Sequence, residues 1–426
     1  MKNKINKNKK GLRDFLILWS TQSLSQLGSS MTALALSLWV YDTTGSSLKS
    51  AALSICSYAP YVLMSIFAGA LSDKFDKKRT MLACDLLAAL STVTVLILYL
   101  THNLEMWHLY AINAFSGLMN TVQQPASEVA TTLLIPKEHY QRASGLNSFS
   151  RSLTNILGPL LATAIYGLLG LTSVILIDLG SFEVAFLALL FLVKIPDVPE
   201  TKKESLKVMV KEGVRYLKDT PMILTMILFM SGINLVASAF DAALRGYVLP
   251  NPKGGEFTLG VVTACAGIAM TLGSLMVAKM PTPKNRMRVV YVSMLISMGT
   301  ENFMLAFCRE PWLWCLGQVI GWILVPVMSA NYDVIFRSTV PTELQGRVYA
   351  CRNTLQFFTI PIGLFLGGFM VDEIFEPFMM RYGNSESLTA LFGSGKGSGA
   401  AVVMFVLGLA GTIHCLIWGG RMKKYS

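Results

Sequence analysis

Isolated acidic side chains within long apolar stretches are the residues of this sequence best suited to chemistry. They are Asp85, Asp178, Glu183, Glu301 and Asp333. An ionisable group at membrane depth is costly and is expected to face a cavity or a partner. A carboxyl group removed from water favours its neutral form, so it can carry a proton at physiological pH. We therefore rank two of these acids, Asp178 and Glu301, as candidate proton-coupling residues, meaning residues that bind and release a proton during function. Asp241, described next, is the third candidate.

Asp241 differs from the isolated acids because Arg245 lies four positions further on, on the same helical face as Asp241 and Asn234. Opposite charges at this spacing can neutralise each other. The sequence leaves two interpretations open, a structural ion pair or a role in substrate binding or coupling.

Two stripes of polar residues at helical spacing are our candidates for the lining of a substrate cavity. One stripe includes Gln22 and Gln26, and the other places Asn147, Arg151 and Asn155 at every fourth position. Asn234 completes this set of cavity candidates. The alternative is that these side chains form hydrogen bonds between helices without touching a ligand.

No pattern of catalytic, nucleotide-binding or metal-binding residues accompanies these groups. The four histidines, His102, His108, His139 and His414, have no metal-ligand spacing. The glycine-rich segment 393–397 lacks the first glycine and the final Ser or Thr of a phosphate-binding loop. We expect a protein that is not an enzyme and has neither cofactor nor metal, and we expect this segment to be a flexible outer loop.

Composition identifies the kind of element that positions these residues. Of the 426 residues, 53% are hydrophobic and only 14% are charged, whereas soluble domains carry about 25% charged residues. The net charge of +11 reflects basic cytoplasmic loops rather than a nucleic-acid partner. The chain is therefore predicted to be an all-α membrane protein in a lipid bilayer.

Twelve apolar stretches approach the length of about 20 residues that crosses a bilayer. They are 15–40, 48–71, 80–101, 106–128, 144–168, 172–194, 222–249, 257–279, 289–308, 312–337, 349–371 and 400–420. If the N-terminus is inside, the inner segments hold most of the 36 Lys and Arg residues. The positive-inside rule then predicts that both termini are cytoplasmic.

The two sets of six stretches repeat. Pro136, Glu138 and Arg142 recur as Pro341, Glu343 and Arg347 at one offset, which also carries Gly158 onto Gly363. The repeat predicts a six-helix bundle over 1–194, a linker with an amphipathic helix over 195–221 and a second bundle over 222–426, related by pseudo-two-fold symmetry. Such halves suit a transporter that rocks about a central site.

The loop after the second stretch, G-A-L-S-D-K-F-D-K-K-R at 69–79, resembles the signature loop of the major facilitator superfamily, except that Asp76 stands where the family usually has glycine. The resemblance implies the major facilitator fold and a gate in which Asp73 meets the start of span eleven near Gly346, stabilising the outward-facing state. We expect Glu128 to be the counter-charge of Lys78 or Arg79. The predicted gating residues are Gly69, Asp73, Lys74, Lys77, Lys78, Arg79 and Glu128.

Other segments resemble the macrolide-efflux branch of the drug:proton antiporters within this superfamily. Gly158 and Pro159 begin a sequence similar to the G-P-x-x-G motif of these antiporters. The motif is either a bend that serves helix packing alone or a feature that bears on the direction of transport. The segments E-G-V-R-Y-L at 212–217 and V-P-T-E-L-Q-G-R-V at 340–348 also carry the likeness.

The resemblance implies a secondary active transporter in the cell membrane that exports amphipathic compounds such as macrolide-like drugs in exchange for protons, by alternating access. We expect a monomer. One alternative is a lipid or lysolipid transporter of the same fold, and another is a membrane receptor that transports nothing.

Overall fold

The computed structural model describes the backbone of residues 2–74, 76–135, 140–196, 206–341, 344–383 and 385–425. Side chains are described over these ranges except at 2–9, 65–74, 140–142, 144, 206–210, 345–346 and 350. Pro136, Glu138 and Glu343 of the repeated motif lie outside the described residues. The side chains of Asp73 and Lys74 in the predicted gate also lie outside them, and Gly69 is described by its backbone alone.

The first part of the chain forms five long helices. They are α1 (Lys2–Thr44), α2 (Ser47–Lys74), α3 (Lys77–Leu100), α4 (Met106–Leu134) and α5 (Tyr140–Leu187), the last followed by a π-helical turn (Ala188–Leu192). Gly170 interrupts α5 with a φ of 77°, a conformation that glycine adopts without steric cost. The break separates the segments that were predicted as spans five and six.

The linker and the second part of the chain are also helical. They contain α6 (Leu206–Asp219), α7 (Pro221–Val248), α8 (Glu256–Lys279), α9 (Arg286–Phe307), α10 (Pro311–Ile323), α11 (Val325–Thr339), α12 (Gln345–Phe357), α13 (Thr359–Phe369), a π-helical turn (Met370–Phe375), α14 (Glu376–Tyr382), α15 (Glu386–Phe392), α16 (Ser398–Met422) and a final 3₁₀ turn (Lys423–Tyr425). No β-strand occurs in the described ranges. The all-α prediction is confirmed.

Helices cover all twelve predicted apolar stretches to within two residues at their ends. Eight helical segments of the described chain are long and apolar enough to cross a membrane, and one of these, Gly145–Leu192, includes two predicted spans. The count of twelve crossings therefore stays a prediction.

The chain divides into two compact units. The N-terminal unit contains Met1–Leu36 and Cys56–Leu206, and the C-terminal unit contains Ser37–Ile55 and Lys207–Ser426. Residues 37–55, the end of α1 and the start of α2, are called the 37–55 hairpin below. The bundle limits predicted from the sequence repeat, 1–194 and 222–426, stay a prediction.

Small residues allow helices to approach closely in the C-terminal unit. A Cβ atom added to Gly363 of α13 would lie 2.1 Å from Ser238 Oγ of α7. One added to Gly367 would lie 2.2 Å from the carbonyl oxygen of Ala239. Such contacts are typical of helix packing in membranes, where close van der Waals contact holds helices together.

The linker helix α6 packs on α11 and α12 of the C-terminal unit. Arg347 of α12 forms an ion pair with Glu212, and the Tyr216 hydroxyl donates to the Thr339 carbonyl at 2.9 Å. Leu217 is buried, with 2% of its surface exposed. Three residues of the E-G-V-R-Y-L segment thus anchor the linker.

Candidate functional site

The start of α3 shows how the described part of the predicted gate is arranged. Lys78 Nζ donates to the carbonyl oxygens of Leu190 and Val193 at 3.0 and 2.7 Å. These carbonyls end the helical run that begins with α5, and a cation is favoured where helix carbonyls lack intrahelical partners. Lys77 is buried and Arg79 is exposed.

The predicted pairing of Glu128 with Lys78 or Arg79 is absent among the described side chains. Glu128 is exposed and accepts from Gln124 Nε2 at 3.3 Å, within its own helix. The reason is that Lys78 already has two carbonyl acceptors. Asp76 also has a definite role, because its carboxylate accepts from the backbone N–H of Arg79 at 2.7 Å and caps α3.

Besides Asp14, which pairs with Arg13 at 3.2 Å, two acids are buried among the described residues of the N-terminal unit, and each accepts from neutral polar neighbours. Asp85, 4% exposed, accepts from Gln22 Nε2 at 3.3 Å and from Gln123 Nε2. Asp178, also 4% exposed, accepts from Ser29 Oγ at 3.2 Å. Gln22, predicted as a cavity residue, therefore joins α1 to α3 through Asp85.

The remaining cavity candidates of the N-terminal unit are exposed side chains on α1 and α5. Gln26, Asn147, Arg151 and Asn155 all belong to this exposed set. The two helices meet where the Ser23 and Ser150 hydroxyls form a hydrogen bond. The two predicted stripes therefore lie on neighbouring helices and form a polar surface of this unit.

The GP motif of α5 contributes to the packing of the same two helices. A Cβ atom added to Gly158 would lie 2.8 Å from Ser30 Oγ of α1. Gly158 is buried, and Pro159 lies within the continuous helix. This geometry supports the packing interpretation of the motif.

The C-terminal unit contains a cavity of about 110 Å³. Its lining is mostly apolar and includes four methionines, two aromatic residues and one ionisable residue, Glu301. The lining residues are Met230, Ile233, Asn234, Ala237, Phe240, Met294, Ser297, Met298, Glu301, Asn302, Trp322, Val325 and Met328. Methionine side chains are flexible and polarisable, so they adapt to ligands of different shape.

Glu301 is held in one orientation at the cavity wall. It is 4% exposed, and its Oε1 accepts from the Trp322 indole N–H at 2.9 Å. Gly321 leaves room for the carboxylate, since a Cβ atom there would lie 2.2 Å from Oε2. The adjacent Asn302 is 2% exposed, and its Oδ1 has no hydrogen-bond partner among the described residues.

The three polar residues predicted on one face of α7 have different surroundings. Asn234 lines the cavity and donates from Nδ2 to the Gln356 carbonyl at 3.0 Å. Asp241 pairs with Arg245 at 3.1 Å, with side chains 51% and 11% exposed, and neither residue lines the cavity. The structure thus brings Asn234 and Glu301 to one cavity, while Asp241 forms the predicted ion pair outside it.

Trp322, the methionines and Asn302 are site residues that the sequence analysis missed. The sequence shows only that these residues lie in apolar stretches. Core residues and lipid-facing residues lie in the same stretches, so the cavity could not be predicted from this property. Asp333, noted as an isolated acid, has a partner in Arg352 at 3.4 Å. The Arg352 guanidinium also lies over the Tyr349 ring at 4.9 Å, which is cation–π geometry.

The cavity can bind a proton or a small group in this conformation. Pockets for drug-sized ligands measure about 300–1,000 Å³, well above the volume found here. A single carboxyl group with one N–H donor in an apolar wall is suited to protonation rather than to bond-making chemistry. Within the described residues, no three His, Cys, Asp or Glu side chains are grouped to hold a metal ion.

Comparison with known proteins agrees with this architecture. Macrolide efflux protein A of Streptococcus pyogenes is 21% identical over 366 residues, covering 84% of this chain and 90% of that protein. Multidrug efflux pump Tap of Mycolicibacterium fortuitum is 24% identical over 358 residues, covering 81% and 86%. The crystal structure of the POT-family transporter PepTSo superposes with a TM-score of 0.73 at 10% identity, covering 97% of this chain and 98% of that one.

The family comparison covers most of the same region. The family model described as Major Facilitator Superfamily matches residues 18–364, which includes the signature loop, α6 and the Glu301 cavity. The chain therefore belongs to the Major Facilitator Superfamily, as a multi-pass protein of the cell membrane.

Proposed function

We propose that this protein is a proton-coupled exporter of amphipathic compounds such as macrolide-like drugs, with both termini in the cytoplasm. The observation that carries the proposal is the carboxyl group of Glu301, buried in the methionine-lined cavity of the C-terminal unit. An acid in such a place must have either a partner or a proton.

The energetic role of Glu301 follows from its surroundings. The neutral form suits the apolar wall, whereas the charged form depends on the Trp322 N–H and on any water admitted to the cavity. A conformation that admits water favours release of the proton, and one that excludes water favours its uptake. Binding or loss of the proton therefore shifts the balance between two conformations, which is the requirement for coupling.

The relatives support export as the direction of transport. One is named a macrolide efflux protein and another a multidrug efflux pump. Identities of 21 and 24% leave the substrate to be established by experiment.

We place substrate contact on the exposed polar surface of the N-terminal unit. Gln26, Asn147, Arg151 and Asn155 provide both donors and acceptors there. The loop containing Asp73 acts as the inner gate in this proposal, with Lys78 holding the start of α3 against the carbonyls that end α5 and its π-helical turn.

The test uses purified protein in liposomes, an imposed pH gradient and a radiolabelled macrolide. Glu301→Gln keeps an oxygen that can accept from Trp322 but cannot lose a proton. We expect gradient-driven transport to fall at least about tenfold, because the amide cannot take up and release the proton that shifts the balance between the two conformations. Substrate exchange without a gradient is expected to persist.

The matched control is Glu183→Gln, which neutralises an exposed acid of α5 and is expected to transport like the parent. Asp178→Asn serves as a second test variant. If this variant abolishes gradient-driven transport while Glu301→Gln does not, the coupling acid lies in the N-terminal unit and our assignment of Glu301 is wrong. Absence of gradient-driven flux in the parent protein, for macrolides and for other amphipathic compounds, would overturn the proposed function.

A further inference from the structure

The N-terminus of α2 is capped by a carboxylate from a distant part of the chain. Asp372, in the π-helical turn after α13, accepts from Ser46 Oγ at 2.6 Å and from the Leu48 N–H at 2.8 Å through Oδ2. Its Oδ1 accepts from the Ser47 N–H at 3.1 Å. The first N–H groups of a helix lack intrahelical partners and favour an anion, so one side chain satisfies the beginning of α2.

The packing beneath this cap is close and consists mainly of small residues. A Cβ atom added to Gly368 would lie 2.6 Å from Leu48 Cα, and one added to Gly246 would lie 2.3 Å from Ser47 Oγ. Ala51 of the 37–55 hairpin packs in one buried cluster with Ala242 and Leu364. The small residues bring the backbones into close van der Waals contact, and the Asp372 carboxylate adds the three hydrogen bonds to this contact.

The 37–55 hairpin is braced internally. The Ser37 and Ser50 hydroxyls form a hydrogen bond at 2.7 Å, and Ser50 Oγ also lies 2.9 Å from the Ser37 carbonyl oxygen. Gly45, with a φ of 64°, makes the tight turn between the two helices. These bonds keep the two arms together, so the hairpin can move as one body.

A second carboxylate one helical turn further along serves as an internal comparison. Glu376 accepts from the backbone N–H groups of Gly397 and Gly399 at 2.8 and 3.0 Å and caps α16. Asp372 and Glu376 thus cap two different helices. Glu376 caps a helix, α16, that begins some twenty residues after Glu376 in the sequence. Asp372 caps a helix, α2, that begins more than three hundred residues before Asp372.

We propose that Asp372 is a releasable latch on the outer side of the transporter, which holds the 37–55 hairpin against α7 and α13 in the state seen here. Its release accompanies opening to the outside, while the Glu376 cap of α16 stays closed throughout the cycle. This inference rests on the alternating access of the proposed function.

The latch makes the relation between α2 and the segment α12–α14 reciprocal. Asp73, near the C-terminal end of α2, is expected from the family resemblance to meet the start of α12. Asp372, near the other end of the α12–α14 segment, caps the start of α2. In this proposal each segment carries an aspartate for the N-terminus of the other, and the two contacts favour opposite states.

The test measures how often the hairpin contact opens. Ser47, 1% exposed, is replaced by Cys in full-length protein whose seven native cysteines are replaced by Ala, and the protein is placed in lipid nanodiscs. The rate of reaction with a hydrophilic maleimide then reports opening. Asp372→Asn is expected to raise this rate about tenfold, within the range of helix-terminus charge effects. Glu376→Gln removes the charge that caps α16 and leaves the three hydrogen bonds of Asp372 in place, so it is expected to leave the rate within about twofold of the parent.

A second variant separates the latch from a general loss of folding. Gly368→Ala introduces a Cβ atom against Leu48 and leaves the carboxylate unchanged, so it should also speed labelling while the melting temperature stays near that of the parent. The proposal is overturned if Asp372→Asn labels at the parental rate, or if Glu376→Gln accelerates labelling as much as Asp372→Asn does. The measurement uses no substrate and no pH gradient, so its failure is distinguishable from failure of the proposed transport function.

Discussion

Asp85 in the N-terminal unit and Glu301 in the C-terminal unit are equally buried, with 4% of each residue exposed, but their polar surroundings differ. Asp85 accepts from two glutamine amides on two other helices. Glu301 has one indole donor and lies beside a cavity. The difference indicates that the first acid joins helices, whereas the second is the candidate proposed above for exchanging a proton.

Because Asp85 and Glu301 are equally buried, burial alone does not identify the acid that couples transport to protons. Each hydrogen bond to the charged form of an acid favours that form. An acid that accepts from two other helices is suited to joining them, and an acid with a single donor beside a cavity is better suited to changing its protonation state. The next three variants test this rule, in order of decreasing expected effect.

Asp85→Ala should give the largest loss of stability. It leaves the amides of Gln22 and Gln123 without their acceptor, and an unsatisfied buried group costs about 1–3 kcal/mol. We expect destabilisation by about 2 kcal/mol, measured as a lower thermal midpoint in detergent. Glu183→Ala, at an exposed acid of the same unit, is the control. An equal midpoint for the two variants would mean that Asp85 does not join the helices.

Trp322→Phe should alter transport more than stability. The variant removes the indole N–H that holds the Glu301 carboxyl group in one orientation, and one hydrogen bond contributes about 1 kcal/mol. We expect gradient-driven transport to fall about fivefold, the rate equivalent of about 1 kcal/mol. Trp312→Phe, at an exposed tryptophan, should leave transport unchanged. Transport at the parental rate in Trp322→Phe would contradict the role given to the indole.

Asp241→Asn should have the smallest effect. Exposed ion pairs contribute about 0–1 kcal/mol, and half of the Asp241 side chain is exposed beside Arg245. We expect a stability change within about 0.5 kcal/mol and gradient-driven transport close to that of the parent. Transport as low as that of Glu301→Gln would instead place Asp241 in the coupling pathway.

The sequence predicted the helical architecture because apolar length and helical spacing are local properties. Hydropathy placed five isolated acids in apolar stretches, of which Asp85, Asp178 and Glu301 are buried and Glu183 and Asp333 are exposed. The spacing of Asp241 and Arg245 anticipated their ion pair. The family resemblance, with its usual glycine at position 76, did not predict that Asp76 caps α3, although an Asp before a helix is itself a capping signal.

Contacts between distant residues could not be predicted from periodicity. Gln22 was placed correctly on a polar stripe, but its bond to Asp85 spans more than sixty residues. The sequence around Trp322 does not distinguish it from a lipid-facing aromatic residue, so its hydrogen bond to Glu301 could not be predicted. The expected partnership of Glu128 and Lys78 was wrong because opposite charge was weighed without the competing helix carbonyls.

The turn at Gly170 has a consequence for the handling of the protein. Two helical segments follow one another there across a single residue, and the flanking Leu168 and Leu169 are 84% and 66% exposed. The turn contains no extended loop that a protease or an antibody could bind. An epitope tag inserted at this point would have to unwind helix on both sides, so surface tags are better placed among the exposed residues 394–396.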